Sequence, residues 1–408
     1  MAENYMQKLF ANRIGGEKFG KKQVKNKMDE AVKAYEEKHH KNGLNLSMTE
    51  ADSMADYDVT ASLSYEAAQW GNRSCAENGI PEFKEAAAHY LYRQFQVEGL
   101  NAQTEINHTM GTKSALVQIA QAFMNEGDIL LTTTGEDNSL STMTEWLGGE
   151  VYELPLHKEN KYLPNLEEIP AEVLKKAKLL YLNYPNSPTG AVANKAFFKK
   201  VVKFAKTNHI GVIHDAGYAA LTYDGLEPLS FLTIPGAKQV GIEIHSLSEA
   251  FNMAGWRLGF VAGNAKMVQA FAAAKAVNDS GQFRAIQRAA MTALNKLEIT
   301  EVTKAKYSRR LDNLVRVFSE MGFAAEKPKA TYYLYMPIPK GTKDGMKFKN
   351  AQEFALYFAE ETGIIVRAFD KNGAYICVSA TFQALESEEY GLYEDIRHRC
   401  QALQFVFK

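Results

Sequence analysis

Apolar positions along the chain alternate between helical spacing and short continuous runs. Stretches with helical periodicity lie at 81–98, at 112–125 and near 195–208. Short apolar runs typical of buried strands lie at 129–133, 151–154, 179–183, 211–214, 240–246 and 259–262. Because parallel strands need helices on both faces, this alternation predicts an α/β domain with a mostly parallel sheet.

The pattern changes after a helical stretch at 265–320. Runs rich in β-branched and aromatic residues at 331–336, 364–367 and 374–379 predict strands around a helix at 351–361. Such a mixture is typical of a smaller α+β domain.

The N-terminal segment 14–42 is rich in Lys, Glu and Gly and contains a predicted helix at 24–41. We expect 1–48 to form an arm and part of the small domain, 49–304 the large domain, and 305–408 the small C-terminal domain.

Composition favours a globular protein that acts on small molecules or proteins. The chain has 408 residues, of which 46% are apolar, and its formal net charge is -1. A nearly neutral chain has no field to attract nucleic acid or an anionic membrane. We therefore expect no nucleic-acid or membrane partner.

The three cysteines, Cys75, Cys377 and Cys400, are widely spaced and lie near no pair of histidines. This spacing predicts neither a disulfide framework nor a metal site. The chain also has no apolar leader and no long uncharged apolar stretch, so we expect a cytoplasmic location.

A group of donors surrounds the start of the predicted helix at 112–125. Thr112 and Lys113 would lie at its N-terminus, where free backbone N–H groups favour an anion. Ser246, Ser248 and Arg257 offer further hydroxyl and guanidinium donors. We call these five residues the anion cup, although a capped helix and a turn would explain them equally well.

Asp215 follows the run at 211–214 and would lie at the carboxyl end of a strand, where ligands bind to parallel sheets. A helix-capping role remains open for it. Tyr218 could point its phenol into the same crevice, or it could be a core tyrosine.

Three motifs occur in order along the chain, and together they are far more specific than any of the features described above. They are Asn183-Tyr-Pro-Asn-Ser-Pro-Thr-Gly190, His214-Asp-Ala-Gly-Tyr218 and His245-Ser-Leu-Ser-Glu-Ala-Phe-Asn-Met-Ala-Gly-Trp-Arg-Leu-Gly-Phe260. With them the chain resembles the fold-type I, class I/II aminotransferases that use pyridoxal 5'-phosphate. Further motifs look most like the LL-diaminopimelate aminotransferase branch, including Asn78-Gly-Ile-Pro-Glu-Phe-Lys84 and Lys306-Tyr-Ser-Arg-Arg310.

This resemblance implies a seven-stranded large domain, a smaller α+β domain and a homodimer with active sites at the subunit boundary. In the family, the Asp that matches Asp215 pairs with the cofactor's pyridinium nitrogen, and the Tyr that matches Tyr218 holds its ring oxygen. The anion cup matches the phosphate-binding residues.

The central departure from the family is Glu249. The family motif places there the lysine that forms a Schiff base with the cofactor and then moves the substrate proton. A carboxylate cannot form an imine. We therefore expect no covalent anchor and no transamination.

Other pocket positions differ as well. Ser187 replaces the asparagine that reaches the ring oxygen, and Asp137 stands where an aromatic side chain stacks on the ring. Cys75 replaces a tyrosine that reaches the partner's phosphate. Cys377 replaces the arginine that grips the substrate carboxylate, and Thr49 replaces a loop glycine.

Three interpretations remain open. The first is a degenerate aminotransferase with a binding or regulatory role. The second is a repurposed enzyme in which Glu249 acts as acid or base. It would bind pyridoxamine phosphate, pyridoxal phosphate or another phosphorylated ligand noncovalently. Cys75 or Cys377 could be its nucleophile, although we prefer to interpret both cysteines as small apolar side chains that fill space.

The third is a residual amino acid aminotransferase that uses another lysine. Lys113 is better explained as part of the anion cup, and Lys275 as a solvated helix lysine. Because several carboxyl groups would share the crevice, the pyridoxamine form is more plausible than the aldehyde form, and the protein could also hold no cofactor.

Overall fold

The computed structural model describes residues 17–135 and 138–407, with side chains described from residue 27 onward. The chain divides into two compact units. The larger comprises Thr49–Val315 and Glu326–Tyr335, and the smaller comprises Met1–Met48, Arg316–Ala325 and Met336–Lys408. Residues 305–315 and 326–335, which the sequence pattern assigns to the small domain, belong to the larger unit by their packing.

A seven-stranded mixed sheet forms the centre of the larger unit. Its strands are β1 (Ile106–Thr109), β2 (Ile129–Thr133), β3 (Glu150–Leu154), β4 (Ala177–Asn183), β5 (Gly211–Asp215), β6 (Gly241–Ser246) and β7 (Gly259–Gly263). Their order across the sheet is β1-β7-β6-β5-β4-β2-β3. Strands β2 to β6 pair in parallel, whereas β7 is antiparallel to β1 and β6. The predicted α/β class is confirmed.

The sheet is buried at its centre, whereas its edge strand β3 is partly exposed. Every residue of β2, β6 and β7 is buried. The helix Thr112–Phe123 packs Ala115, Leu116, Ile119 and Ala120 into the same core, at the spacing of one helical face. This packing holds the start of the helix at one edge of the sheet.

Strand β1 is not among the predicted strands, because three of its four residues are polar. Asn107 donates to Asn78 Oδ1 at 2.9 Å, and His108 Nε2 lies 3.1 Å from Gln282 Oε1. These hydrogen bonds let polar side chains enter a buried strand, which the hydrophobic pattern alone does not anticipate.

The helical stretch predicted at 265–320 is three helices, Ala265–Asn278, Arg284–Asn295 and Glu298–Glu320. A turn separates the first two, in which Gly281 has a φ of 85° and its N–H donates to Asp279 Oδ1 at 2.8 Å. Only glycine adopts such a φ at little cost. The following strand, Gln282–Phe283, pairs with Cys75–Ala76.

The remaining helices of the larger unit are mostly short. They are Tyr57–Ala67, Pro81–Phe95, Ala102–Glu105, Ser139–Trp146, Ala171–Leu174, Lys195–Asn208 and Ala237–Val240. Pro81 occupies the first turn of its helix, where its missing N–H has no hydrogen bond to lose.

The smaller unit combines helices with short strands, as the sequence predicts. Its helices are Glu17–His39, Ala351–Thr362 and Glu389–Cys400, and the strands of this region are Leu44–Asn45, Tyr333–Pro337, Gly341–Thr342, Ile364–Ile365, Arg367–Phe369, Tyr375–Ser379 and Phe405–Val406. Ala31 and Val32 of the first helix pack with Ala359. Within the ranges that the structure describes, no helix is long and apolar enough to cross a membrane.

Candidate functional site

A cavity of about 270 Å³ opens in the larger unit where the parallel strands end. It is lined by Thr112, Lys113, Leu116, Thr133, Thr134, Gly135, Asn138, Ser139, Tyr181, Asn183, Asn186, Ser187, Asp215, Gly217, Tyr218 and Glu249. Ligands bind at this edge of open α/β sheets. The volume is close to the lower end of small-molecule pockets, roughly 300–1,000 Å³, so it suits a small ligand.

Two of the five anion-cup residues line this cavity. Thr112 is the first residue of its helix and Lys113 the second, so they lie beside the free N–H groups of the first turn. Gly111 precedes them with a φ of 79°, and a Cβ atom there would lie 2.5 Å from Arg257 Nη2. The Arg257 guanidinium therefore packs directly against the helix N-terminus.

Ser246 and Ser248 lie behind the cavity wall, not in it. Both are buried, and the backbone N–H of Ser248 donates to Ser246 Oγ at 3.0 Å. The Ser246 hydroxyl lowers the pKa of the Glu249 carboxyl group, against the effect of burial. The five residues predicted for the cup thus divide into two that face the cavity and three that lie next to it.

Asp215 ends strand β5 and faces the cavity. Its carboxylate accepts from Tyr181 Oη at 3.0 Å and from the Gly217 N–H at 3.1 Å. Burial raises the pKa of Asp215, although these two donors and the neighbouring His214 and His245 act in the opposite direction.

Tyr218 also faces the cavity and belongs to a group of three tyrosines. Its Oη lies 3.1 Å from Tyr333 Oη, and its ring lies edge-on to Tyr332, with the centroids 5.4 Å apart. Burial raises the pKa of Tyr218 well above its usual value, helped by the other two tyrosines and by Glu249. The Tyr218 phenol therefore stays protonated and can donate a hydrogen bond.

Glu249 lies in the cavity wall, just after strand β6. Its Oε2 is buried and has no hydrogen-bond partner among the described residues. Burial and the charge of Asp215 raise the pKa of Glu249 to about 7, against the effect of Ser246 and Arg257. We call Asp215 and Glu249 together the acidic wall.

A buried network that the sequence analysis missed supports this wall. Glu243 of strand β6 accepts from His214 Nδ1 at 2.8 Å, from His245 Nε2 at 2.6 Å, from Ser230 Oγ at 2.7 Å and from the Phe231 N–H at 2.7 Å. His214 precedes Asp215, and His245 precedes Ser246. The network therefore anchors the strand ends that carry both parts of the site.

Ser187 is the one of the five substituted positions that the structure places in the cavity wall. Its N–H donates to Asn183 Oδ1 at 2.8 Å.

The other substituted positions lie elsewhere. Thr49 is exposed, and its carbonyl oxygen accepts from Tyr332 Oη at 2.8 Å. Cys75 is exposed and pairs across strands with Phe283. Asp137 lies outside the described residues.

Cys377 is fully buried in the smaller unit, and burial raises its pKa to about 12. A thiol with so high a pKa is a poor nucleophile, which fits the apolar-filler interpretation. Arg367 lies directly opposite Cys377 in the antiparallel strand pair. The sequence analysis found no replacement for the family's arginine, because only the pairing of two strands brings this guanidinium beside position 377.

The prediction of Lys275 as a solvated helix lysine is wrong. Its side chain is fully buried and pairs with Asp279, four residues later on the same chain. Asp279 in turn accepts from Gln118 Nε2 at 2.8 Å. Lys275 is absent from the cavity lining, whereas Lys113 belongs to it.

Comparison with known proteins gives the family. Residues 41–385 match aminotransferase class I and II. The chain is 44% identical to LL-diaminopimelate aminotransferases of Methanocaldococcus jannaschii and Methanococcus maripaludis, over 100% of each chain.

Solved structures agree with this assignment. Substrate-bound BacF from Bacillus subtilis is 35% identical with a TM-score of 0.82, over 89% of this chain and 91% of that one. An aminotransferase from Staphylococcus aureus is 26% identical with a TM-score of 0.81, over 89% of this chain and 95% of that one. The chain therefore belongs to the class I and II aminotransferase family and has its fold-type I architecture.

Proposed function

We propose that this chain is a protein of the LL-diaminopimelate aminotransferase lineage that binds a pyridoxal-type phosphate noncovalently and does not transaminate. One observation carries the proposal. Glu249 lies in the cavity wall at the position where the family motif has its Schiff-base lysine. Because a carboxyl group cannot form that bond, the protein would serve a binding or regulatory role.

The cavity residues fit the phosphate and ring of such a cofactor but not its covalent attachment. Thr112 and Lys113 would hold the phosphate at the helix N-terminus, beside Arg257. Asp215 would pair with the pyridinium nitrogen. When bound, the ring supplies an electron sink for amino-acid chemistry. The residues of this chain would bind and orient the ring.

The lysine content of the cavity lining supports a cofactor site without a covalent lysine–cofactor bond. Lys113 is the one lysine among the lining residues, and it lies in the first turn of the helix with the anion-binding groups. A lysine that neutralises a phosphate must stay protonated, whereas an amine that attacks an aldehyde must be neutral. One lysine cannot serve both roles at once.

We also propose a homodimer in the cytoplasm. The segment 54–70 exposes large apolar side chains, with Met54 85% exposed, Tyr57 81% and Trp70 76%. Soluble proteins rarely expose so many neighbouring apolar groups unless a partner covers them. A second copy of the chain is the partner expected from the family. The three unpaired cysteines are compatible with a reducing compartment.

The test is a titration of the purified protein with pyridoxal phosphate, followed by calorimetry and visible absorption together. We expect heat of binding without the absorption band of a lysine-bound cofactor, and no transfer of amino groups from LL-diaminopimelate. A lysine-bound band with turnover would overturn the proposal. Size-exclusion chromatography with light scattering on the same sample tests the dimer.

A second candidate is a repurposed enzyme in which Glu249 moves a proton. Its pKa of about 7 is the observation in favour, since acid–base groups work best near the ambient pH. Incubation with pyridoxamine phosphate and a panel of 2-oxo acids, followed by chromatography, would reveal any new product. A product that Glu249→Gln abolishes would favour this candidate over a purely binding role.

A further inference from the structure

The cavity holds groups of opposite charge in one small volume. Lys113 and the helix N-terminus contribute positive potential, and Arg257 lies against Gly111 beside them. Asp215 and Glu249 contribute two carboxyl groups. A ligand that fits both parts must carry an anionic group and a cationic group within a few bonds of each other.

The carboxyl groups are not neutralised by the protein itself. Within the described part of the chain, neither Asp215 nor Glu249 forms an ion pair with a lysine or an arginine. Asp215 is satisfied by Tyr181 and Gly217, but Glu249 Oε2 is buried without a hydrogen-bond partner. A buried polar atom without a partner is costly, and a ligand donor would relieve that cost.

We propose that Glu249 of the acidic wall binds a primary ammonium group on a ligand whose phosphate lies in the anion cup. The inference rests on the noncovalent site proposed above and names the ligand class: a phosphorylated amine, for which pyridoxamine 5'-phosphate is the probe. Glu249 is then the residue that selects the amine form of the cofactor.

The chemistry of the alternatives favours the amine. An ammonium group supplies three donors and a positive charge, which offsets the charge of the Glu249 carboxylate. An alcohol supplies one neutral donor. An aldehyde supplies only an acceptor oxygen, which a carboxylate repels. The raised pKa of Glu249 comes mainly from burial and then from the charge of Asp215, and a cation next to Glu249 would offset both effects.

The experiment is calorimetry at pH 8 with pyridoxamine phosphate, pyridoxine phosphate, pyridoxal phosphate and unphosphorylated pyridoxamine. We expect pyridoxamine phosphate to bind about tenfold to a hundredfold more tightly than pyridoxine phosphate, the range typical of a charged hydrogen bond. Unphosphorylated pyridoxamine should bind weakly, because it lacks the group that the anion cup holds.

Two variants assign the preference to one residue. Glu249→Gln keeps the size of the side chain and removes its charge. Pyridoxamine phosphate and pyridoxine phosphate should then bind with about equal affinity. Glu172→Gln makes the same change at an exposed position that is not among the lining residues, and it should leave the preference intact. Circular dichroism checks that both variants fold.

The outcomes separate this inference from the proposed function. Equal affinity of the unmutated protein for pyridoxamine phosphate and pyridoxine phosphate would overturn the inference, but it would not contradict the proposed noncovalent site. A preference that survives in Glu249→Gln would remove Glu249 from the account. Binding of none of the four probes would overturn both proposals. If Glu249→Gln does not fold, the comparison in the natural protein still decides.

Discussion

The anion cup borders the cavity that the acidic wall lines, but the two regions differ in what holds them in place. The cup depends on backbone geometry: a helix that starts at Thr112, and a glycine whose missing Cβ leaves room for Arg257. The wall depends on two carboxyl side chains, Asp215 at the end of strand β5 and Glu249 just after strand β6. A site built on backbone geometry depends less on any one side chain than a site built on two carboxyl groups, so the two regions should respond differently to single substitutions.

The largest expected effect comes from restoring the family residue in the wall. Glu249→Lys should form a covalent bond with pyridoxal phosphate, seen as a visible absorption band that is absent in the natural protein. We expect no measurable turnover, because Ser187 and Cys377 still differ from the family. Turnover near that of a related aminotransferase would mean that Glu249 is the only functional loss.

A substitution in the buried Glu243 network should weaken ligand binding at both the anion cup and the acidic wall. Glu243→Gln removes the charge that two buried histidines share, and we expect a loss of about 3 kcal/mol in the free energy of unfolding. Urea denaturation followed by circular dichroism measures it. A variant that loses ligand affinity without losing stability would contradict the supporting role of this network.

A change at Gly111 should affect the cup alone. In Gly111→Ala the new Cβ meets the Arg257 guanidinium and displaces it, and we expect phosphate-ligand affinity to fall about tenfold by calorimetry. Gly99→Ala is the matched control, since its φ is 66° and nothing lies within 4 Å of its Cβ. Gly99→Ala should lose about 1 kcal/mol of stability, and Gly111→Ala should lose more, because its φ of 79° and ψ of 166° suit glycine almost alone. Only Gly111→Ala should lose affinity.

The smallest expected effect is a pH dependence of the wall. A carboxyl group with a pKa raised to about 7 is mostly neutral below that pH and charged above it. The preference for pyridoxamine phosphate over pyridoxine phosphate should therefore grow as pH rises from 6 to 8, by at most about tenfold in all. The phosphate is common to both ligands and cancels in the ratio.

The same raised pKa sets a matching trend in stability. The folded protein holds the Glu249 proton more tightly than the unfolded chain does, so stability should fall as pH rises from the usual glutamate range towards 7. Glu249→Gln should remove this component of a thermal-unfolding series, and a flat difference between the two proteins would contradict it.

Much of the site could be predicted because motifs carry it. Thr112, Lys113, Asp215, Tyr218 and Glu249 all line one cavity, as their motif positions imply. The alternation of apolar runs with helices likewise predicts the sheet, because strand burial leaves a direct mark on the sequence.

What the sequence did not predict depends on contacts between distant segments. Strand β1 could not be predicted from its hydrophobic pattern, because the hydrogen-bond partners of its polar residues Asn107 and His108 lie in other elements. Lys275 is buried because Asp279 pairs with it, and Arg367 meets Cys377 only through strand pairing. Hydrophobic patterns record burial of apolar groups and carry no information on which polar groups satisfy each other.

The most direct test of the central claim is chemical trapping. The purified protein is mixed with one equivalent of pyridoxal phosphate, reduced with sodium borohydride and weighed intact by mass spectrometry. We predict an unmodified mass, because Glu249 offers no amine and Lys113 is held for the phosphate. A stoichiometric gain of one reduced cofactor, mapped by peptide digestion to Lys113 or another lysine, would contradict the account.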